Sequence, residues 1–186
     1  HVRSRRQRQM CIRDRIHSEY GYLKGTINPL NFYALSKATV DYWVMDNMDR
    51  FEQVQGFRYF NVYGEGEEHK GDQASPISKF TKQARENDII KIFEDSEYAF
   101  RDFVCVDDVV DVVLDNTAGS GIYDVGTGNP ISFQEVAELI AKKEGAEIEV
   151  IPFPKHLEGK YQEYTCADNS WYQHDYTTVS SYMGIS

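Results

Sequence analysis

Apolar positions along this chain switch between two rhythms, one of about 3.6 residues and one of short continuous runs. After Asn31-Phe32-Tyr33-Ala34-Leu35-Ser36-Lys37, the residues Ala38, Val40, Trp43 and Val44 recur at helical spacing and predict a helix over 30–51. Residues 54–60 (VQGFRYF) form a short β-rich run, and 61–72 read as a loop dense in Gly and Glu. Ile77, Phe80 and Ala84 predict a helix over 75–87, with strands over 89–93 and 101–106 after it. An aspartate opens the next helix, 107–114, where it suits the exposed first-turn amides. A strand over 122–125 ends in Gly126-Thr127-Gly128. Ser132 with Glu135 three positions on is a capping box, which starts a helix over 132–143. A last strand, 147–151, is stopped by Pro152 and Pro154. Strands alternating with helices predict an α/β fold with a partly parallel sheet. Residues 169–186 lack a clean helical period at Trp171, Tyr172, His174 and Tyr176, and are expected to form an atypical tail, either frayed or altered in the same way as the leader, residues 1–15.

Composition changes this picture in two places. Apolar residues make up 41% of 186, enough for a globular core, and no apolar run approaches the roughly 18–20 residues of a membrane span. Cys11, Cys105 and Cys166 make no CxxC pair and no even framework, so free thiols in a reducing compartment are expected. The net charge of −10 hides a division, because residues 1–15 carry six arginines against one aspartate. The acidic remainder argues against a nucleic-acid partner. The leader resembles a translated sequencing-adapter scar, so 1–15 are taken as non-native and the natural chain is expected to extend upstream of about Ile16. The alternative is a basic arm for an anionic partner.

Tyr33 and Lys37 lie four apart, hence on one helix face. An ammonium beside a phenol favours the phenolate, and a tyrosine titrating near ~10 needs such help to exchange protons at neutral pH. The competing reading is an ordinary amphipathic helix. Gly64-Glu65-Gly66 and Gly126-Thr127-Gly128 read as turns, since no G-x-G-x-x-G follows a strand. Asp107, Asp108 and Asp111, or His69 with its glutamates, lack metal-ligand spacing, and no metal is assigned.

Taken in order, the motifs are Tyr33-Ala34-Leu35-Ser36-Lys37, Phe57-Arg58-Tyr59-Phe60-Asn61-Val62-Tyr63-Gly64, Arg101-Asp102-Phe103-Val104-Cys105-Val106-Asp107-Asp108, and Gly126-Thr127-Gly128 with Ser132-Phe133. Together they resemble the extended short-chain dehydrogenase/reductase family of nucleotide-sugar enzymes. Glu68-His69-Lys70-Gly71, and the run from Ile151-Pro152-Phe153-Pro154 to Tyr164-Thr165 and Ala167-Asp168, are similar to the branch that inverts C6 of ADP-glycero-manno-heptose.

The resemblance covers about 16–168. It implies a partial Rossmann-like sheet without its N-terminal strands, plus a smaller α/β substrate-binding domain. Residues 16–64 would be the end of the Rossmann domain, and 65–168 mostly the substrate-binding region. It further implies NADP as cofactor, ADP-heptose as substrate, a cytoplasmic homo-oligomer (a pentamer by family habit), and neither a membrane nor a nucleic-acid partner. The product would supply the lipopolysaccharide inner core.

Site residues carry over one at a time. Tyr33 and Lys70 match the two catalytic acid/base groups, one for each orientation of the sugar. Lys37, Val62 and Lys70 match cofactor contacts. Asn61, Phe93, Glu94, Asp95, Ser96, Arg101 and Tyr161 match substrate contacts, with the Arg101 guanidinium suited to a diphosphate. Asp72 and Lys79 occupy substrate positions where the family often has Ser and His. Without the resemblance, Lys70 reads as a solvated loop lysine among Glu65, Glu67 and Glu68, and Arg101 as a salt-bridge partner of Asp102 or Asp107. Two rival functions stay open: another nucleotide-sugar epimerase or dehydratase, and a non-enzymatic binding module.

Overall fold

The computed structural model describes residues 32–155 and 163–185, with the side chains of Tyr33 and Ala34 outside the described set. Helix α1 (Phe32–Asp46) is followed by a 3-10 turn, Met48–Arg50. Strand β1 (Gln55–Tyr59) continues almost directly into β2 (Asn61–Tyr63). A kinked 3-10 segment, Glu68–Gln73, leads to α2 (Pro76–Asn87) and β3 (Ile89–Phe93). After the turn Ser96–Tyr98 come β4 (Phe100–Arg101), β5 (Phe103–Cys105) and α3 (Val106–Asp115). Then follow β6 (Gly121–Val125), β7 (Ile131–Ser132), α4 (Phe133–Glu144), β8 (Glu147–Ile151) and a last short turn of helix, α5 (Val179–Tyr182).

Three of the strand pairs are parallel: β1 with β6, β2 with β5, and β3 with β8. The fourth, β4 with β7, is antiparallel, so the α/β expectation and its partly parallel order hold. The β1–β2 strand changes partner at Phe60. The Phe60 amide donates to the Val125 carbonyl at 3.0 Å, and the next amide, Asn61, donates to Asp102 at 2.9 Å.

Strands β2 and β5 bury side chains on both faces. Successive side chains point to opposite faces of a strand. Val62 and Val104 therefore join Tyr59, Val109, Val112 and Val125 in one core. Tyr63, Phe103 and Cys105 join Ile77, Phe80, Ile90, Val136 and Ile140 in the other. A pair of short strands thus serves as a shared wall between two hydrophobic layers.

The sequence pattern misses at four places, the first being the helix expected over 30–51, which ends at Asp46 and gives way to a 3-10 turn. The single strand expected over 101–106 is split at Asp102, whose side chain leaves the ladder to serve a loop. The first residues of the expected 61–72 loop are β2. The tail is not frayed: Val179 and Met183 are buried. The Tyr63 hydroxyl donates to the Thr177 carbonyl at 3.0 Å, and the Thr177 amide donates to Asp108 at 2.8 Å. Cys105 and Cys166 are free thiols. Among the described residues no helix is long and apolar enough to cross a membrane, and no cluster of His, Cys, Asp or Glu could hold a metal ion.

Candidate active site

Where β2 ends and α3 begins, the chain encloses a cavity of about 230 Å³. Its walls are apolar, with Tyr59, Val62, Val106, Val109, Val113 and Leu114 among them, and Glu65, Glu67 and Lys70 supply the polar groups. This is the carboxyl end of a parallel strand pair, where α/β sheets present ligands. Gly64 makes the close turn possible. Its φ is +154°, and a Cβ there would lie 2.4 Å from a Val106 methyl.

Lys70 is held in place, not solvated. Its side chain is 11% exposed and its ammonium donates to the Glu67 carboxylate at 3.3 Å, while Glu67 is only 2% exposed. The other Glu67 oxygen accepts the Ser75 amide at 3.2 Å and the Ser75 hydroxyl. Ser75 is in turn the N-cap of α2, its oxygen accepting from the Ser78 amide at 3.2 Å. A helix cap, a buried carboxylate and an ammonium therefore form one chain of contacts. The kink after Lys70 falls at Gly71, with φ +50° and ψ −127°, backbone that a side chain would disfavour. The His-Lys-Gly triplet thus has a local reason for its glycine.

Lys37 is half-buried on α1, one turn ahead of Asp41. Asp41 accepts from Arg58 Nε at 3.0 Å, and Arg58 Nη1 reaches Asp124, its register partner on β6, at 3.4 Å. One guanidinium serving two carboxylates ties the helix to the strands that lead into Asn61 and Val62. Burial, reinforced by Asp124, pushes the Asp41 carboxyl up to about 7.

Asp102, completely buried, anchors a third group of contacts. Its oxygens accept the Thr127 amide at 2.8 Å and hydroxyl at 2.7 Å, the Gly128 amide at 3.0 Å and the Ala167 amide at 2.8 Å. Its own amide donates to the Thr165 hydroxyl at 3.1 Å. Arg101, next to it, is buried with its guanidinium 5.4 Å over the Phe133 ring and donates to the Phe100 carbonyl at 2.7 Å.

The expected site residues fall into separate groups. Val62 and Lys70 share the cavity. Asn61 sits at the start of β2 with its amide on Asp102. Phe93, Glu94, Asp95 and Ser96 form the turn leaving β3. There the Ser96 hydroxyl donates to the Phe93 carbonyl, Asp95 is left-handed at φ +63°, and Phe93 meets Phe153 edge-on at 5.6 Å. Asp72 is exposed on the 3-10 segment, and Lys79 is half-buried on α2. The Tyr33 side chain and Tyr161 lie outside the described residues.

Residues 14–126 match the NAD dependent epimerase/dehydratase family. The chain belongs to that family. Over 152 residues it is 45% identical to the ADP-L-glycero-D-manno-heptose-6-epimerase of Alkalilimnicola ehrlichii, covering 76% of this chain and 48% of the relative. The Helicobacter pylori ADP-L-glycero-D-manno-heptose-6-epimerase superposes with a TM-score of 0.70 at 25% identity, over 88% of this chain and 52% of that one. The Thermus thermophilus UDP-glucose 4-epimerase superposes with a TM-score of 0.69 at 23% identity, over 89% and 56%. The chain therefore spans about half the length of these epimerase/dehydratase relatives. Its fold is the Rossmann-like α/β fold of the extended branch of this family of nicotinamide-dependent enzymes.

Within this family member, sequence reasoning missed Glu67 as the holder of Lys70, and Asp41 with Asp124 as partners of Arg58. Arg58 did carry a signal, because a lone charge inside the apolar run VQGFRYF demands a buried counter-charge. Glu67 carried none, standing between Glu65 and Glu68 in a run of acids.

Proposed function

We propose that this chain carries the acid/base and substrate-binding part of an ADP-glycero-manno-heptose 6-epimerase that uses NADP. The observation that supports this most strongly is Lys70, half-buried on the wall of an apolar cavity at a strand end, inside the triplet that resembles the heptose branch. The residues fit the nicotinamide end of the cofactor. Val62, Val106 and Val109 offer an apolar wall and Lys70 supplies an ammonium donor there, while Lys37 on α1 would supply a second, as the resemblance implies. When bound, that group supplies reversible hydride exchange with C6.

The chain's own part is proton traffic and orientation. The Tyr33 phenolate, which Lys37 makes less costly to form, takes the C6 hydroxyl proton and becomes the phenol as the alcohol becomes a ketone. The 6-keto sugar then presents its other face, and Lys70 returns a proton to the oxygen as the carbinol re-forms. The two groups exchange roles in the reverse direction. Arg101 and the turn 93–96 would meet the nucleotide end, as the resemblance implies. Alone, the chain is expected to be poorly active, since its sequence contains no G-x-G-x-x-G loop for the cofactor phosphates.

The test is substrate profiling of the full-length protein with NADP. Inversion at C6 of ADP-D-glycero-D-manno-heptose, read by proton NMR, with none at C4 of UDP-glucose, is the expected result. C4 inversion or dehydration of another nucleotide sugar would replace this reading by the wider family activity. Salt-sensitive binding of an anionic polymer without turnover would favour a binding module.

A further inference from the structure

We propose that Glu67 is the positioning residue for Lys70, a role that rests on the reading of Lys70 as an acid/base group. The geometry has three parts. Glu67 is buried, yet one of its oxygens lies 3.3 Å from the Lys70 ammonium. Its other oxygen is fixed by the amide and hydroxyl of Ser75, the N-cap of α2, so the carboxylate cannot swing away without leaving both of those buried donors unpaired. Both side chains line the same cavity, whose other titratable groups are Glu65 and Tyr59.

A lysine has four rotatable bonds and loses much side-chain entropy when ordered. A fixed counter-charge offsets that loss before substrate arrives. The carboxylate also keeps a buried ammonium charged, ready to give its proton to a sugar oxygen, and stabilises the ammonium again when the proton returns. Glu67 need not touch the substrate to do this. It sets where Lys70 points and which protonation state it holds.

The experiment compares Glu67→Gln with the native residue in the full-length protein, by two readouts. Glutamine keeps an oxygen for Ser75 but drops the charge. Amine labelling followed by mass spectrometry should modify Lys70 at least about 5-fold faster in the variant, with exposed Lys82 as the internal standard. Unchanged Lys70 labelling overturns the proposal. For C6 inversion, kcat should fall about 10- to 100-fold with KM within about 3-fold, and the alkaline limb of the rate profile should move to lower pH. A variant losing kcat only in proportion to folded protein, with that limb unmoved, also overturns it. Faster labelling in a protein that inverts nothing would leave Glu67 as the holder of Lys70 and remove the epimerase reading instead.

Discussion

The unit of α2, β3, α4 and β8 closes on itself, whereas α1 does not. Both helices of the closed unit are capped at each end. Ser75 and Ser132 accept first-turn amides, and Asp88 and Gly145 take left-handed C-caps. Their apolar faces, Ile77, Phe80 and Ala84 on one and Val136, Ala137 and Ile140 on the other, meet over Ile90 and Ile92. Helix α1 buries Ala38 but leaves Leu35, Val40, Tyr42 and Trp43 exposed, and Phe32 is 90% exposed. An ion pair between Asp41 and Arg58 ties it to the sheet. A helix with so little buried apolar surface opens at low local cost. The unit of α2, β3, α4 and β8 is thus preorganised by packing, whereas α1 buries little apolar surface.

The largest effect is expected at Asp102, outside both regions. Asp102→Ala leaves the amides of Thr127, Gly128 and Ala167 without their acceptor, and should cost about 4 kcal/mol in chemical denaturation. Next comes the closed core, where Ile140→Ala should cost about 3 kcal/mol. Its counterpart on the open helix, Val40→Ala, should change stability by less than about 0.5 kcal/mol. Equal costs for those two would refute the difference drawn here. Ser132→Ala removes half of a capping box and should cost about 1 kcal/mol.

A gentler probe is pH. In the native state Asp41 titrates at about 7 against 3.8 when free, so between those values the folded chain holds a proton that the unfolded chain has released. Its contribution to stability is therefore present below about 4 and is lost as pH rises through 7. Asp41→Asn should remove that slope, read as a thermal midpoint that falls less between pH 5 and 8 than the native one.

The closed unit was legible because its signals are local. The capping box at Ser132 and Glu135, and the 3.6 period of Ile77, Phe80 and Ala84, need only a few residues of context. The Asp102 break was illegible because its ligands lie 25 to 65 positions away, at Thr127 and Ala167. The same holds for Asp41 and Arg58, which meet across 17 positions. Lys70 stands out in the sequence only through its His-Lys-Gly setting, and only the fold shows that the acids around it divide into one buried partner, Glu67, and two exposed neighbours, Glu65 and Glu68.

The most direct measurement is the rate of C6 inversion of ADP-D-glycero-D-manno-heptose by the full-length protein carrying Lys70→Met. A loss of at least about 100-fold in kcat, with the thermal midpoint preserved, is the predicted result. Inversion at an undiminished rate would contradict the account, because the second face of the sugar would then need no amine at position 70.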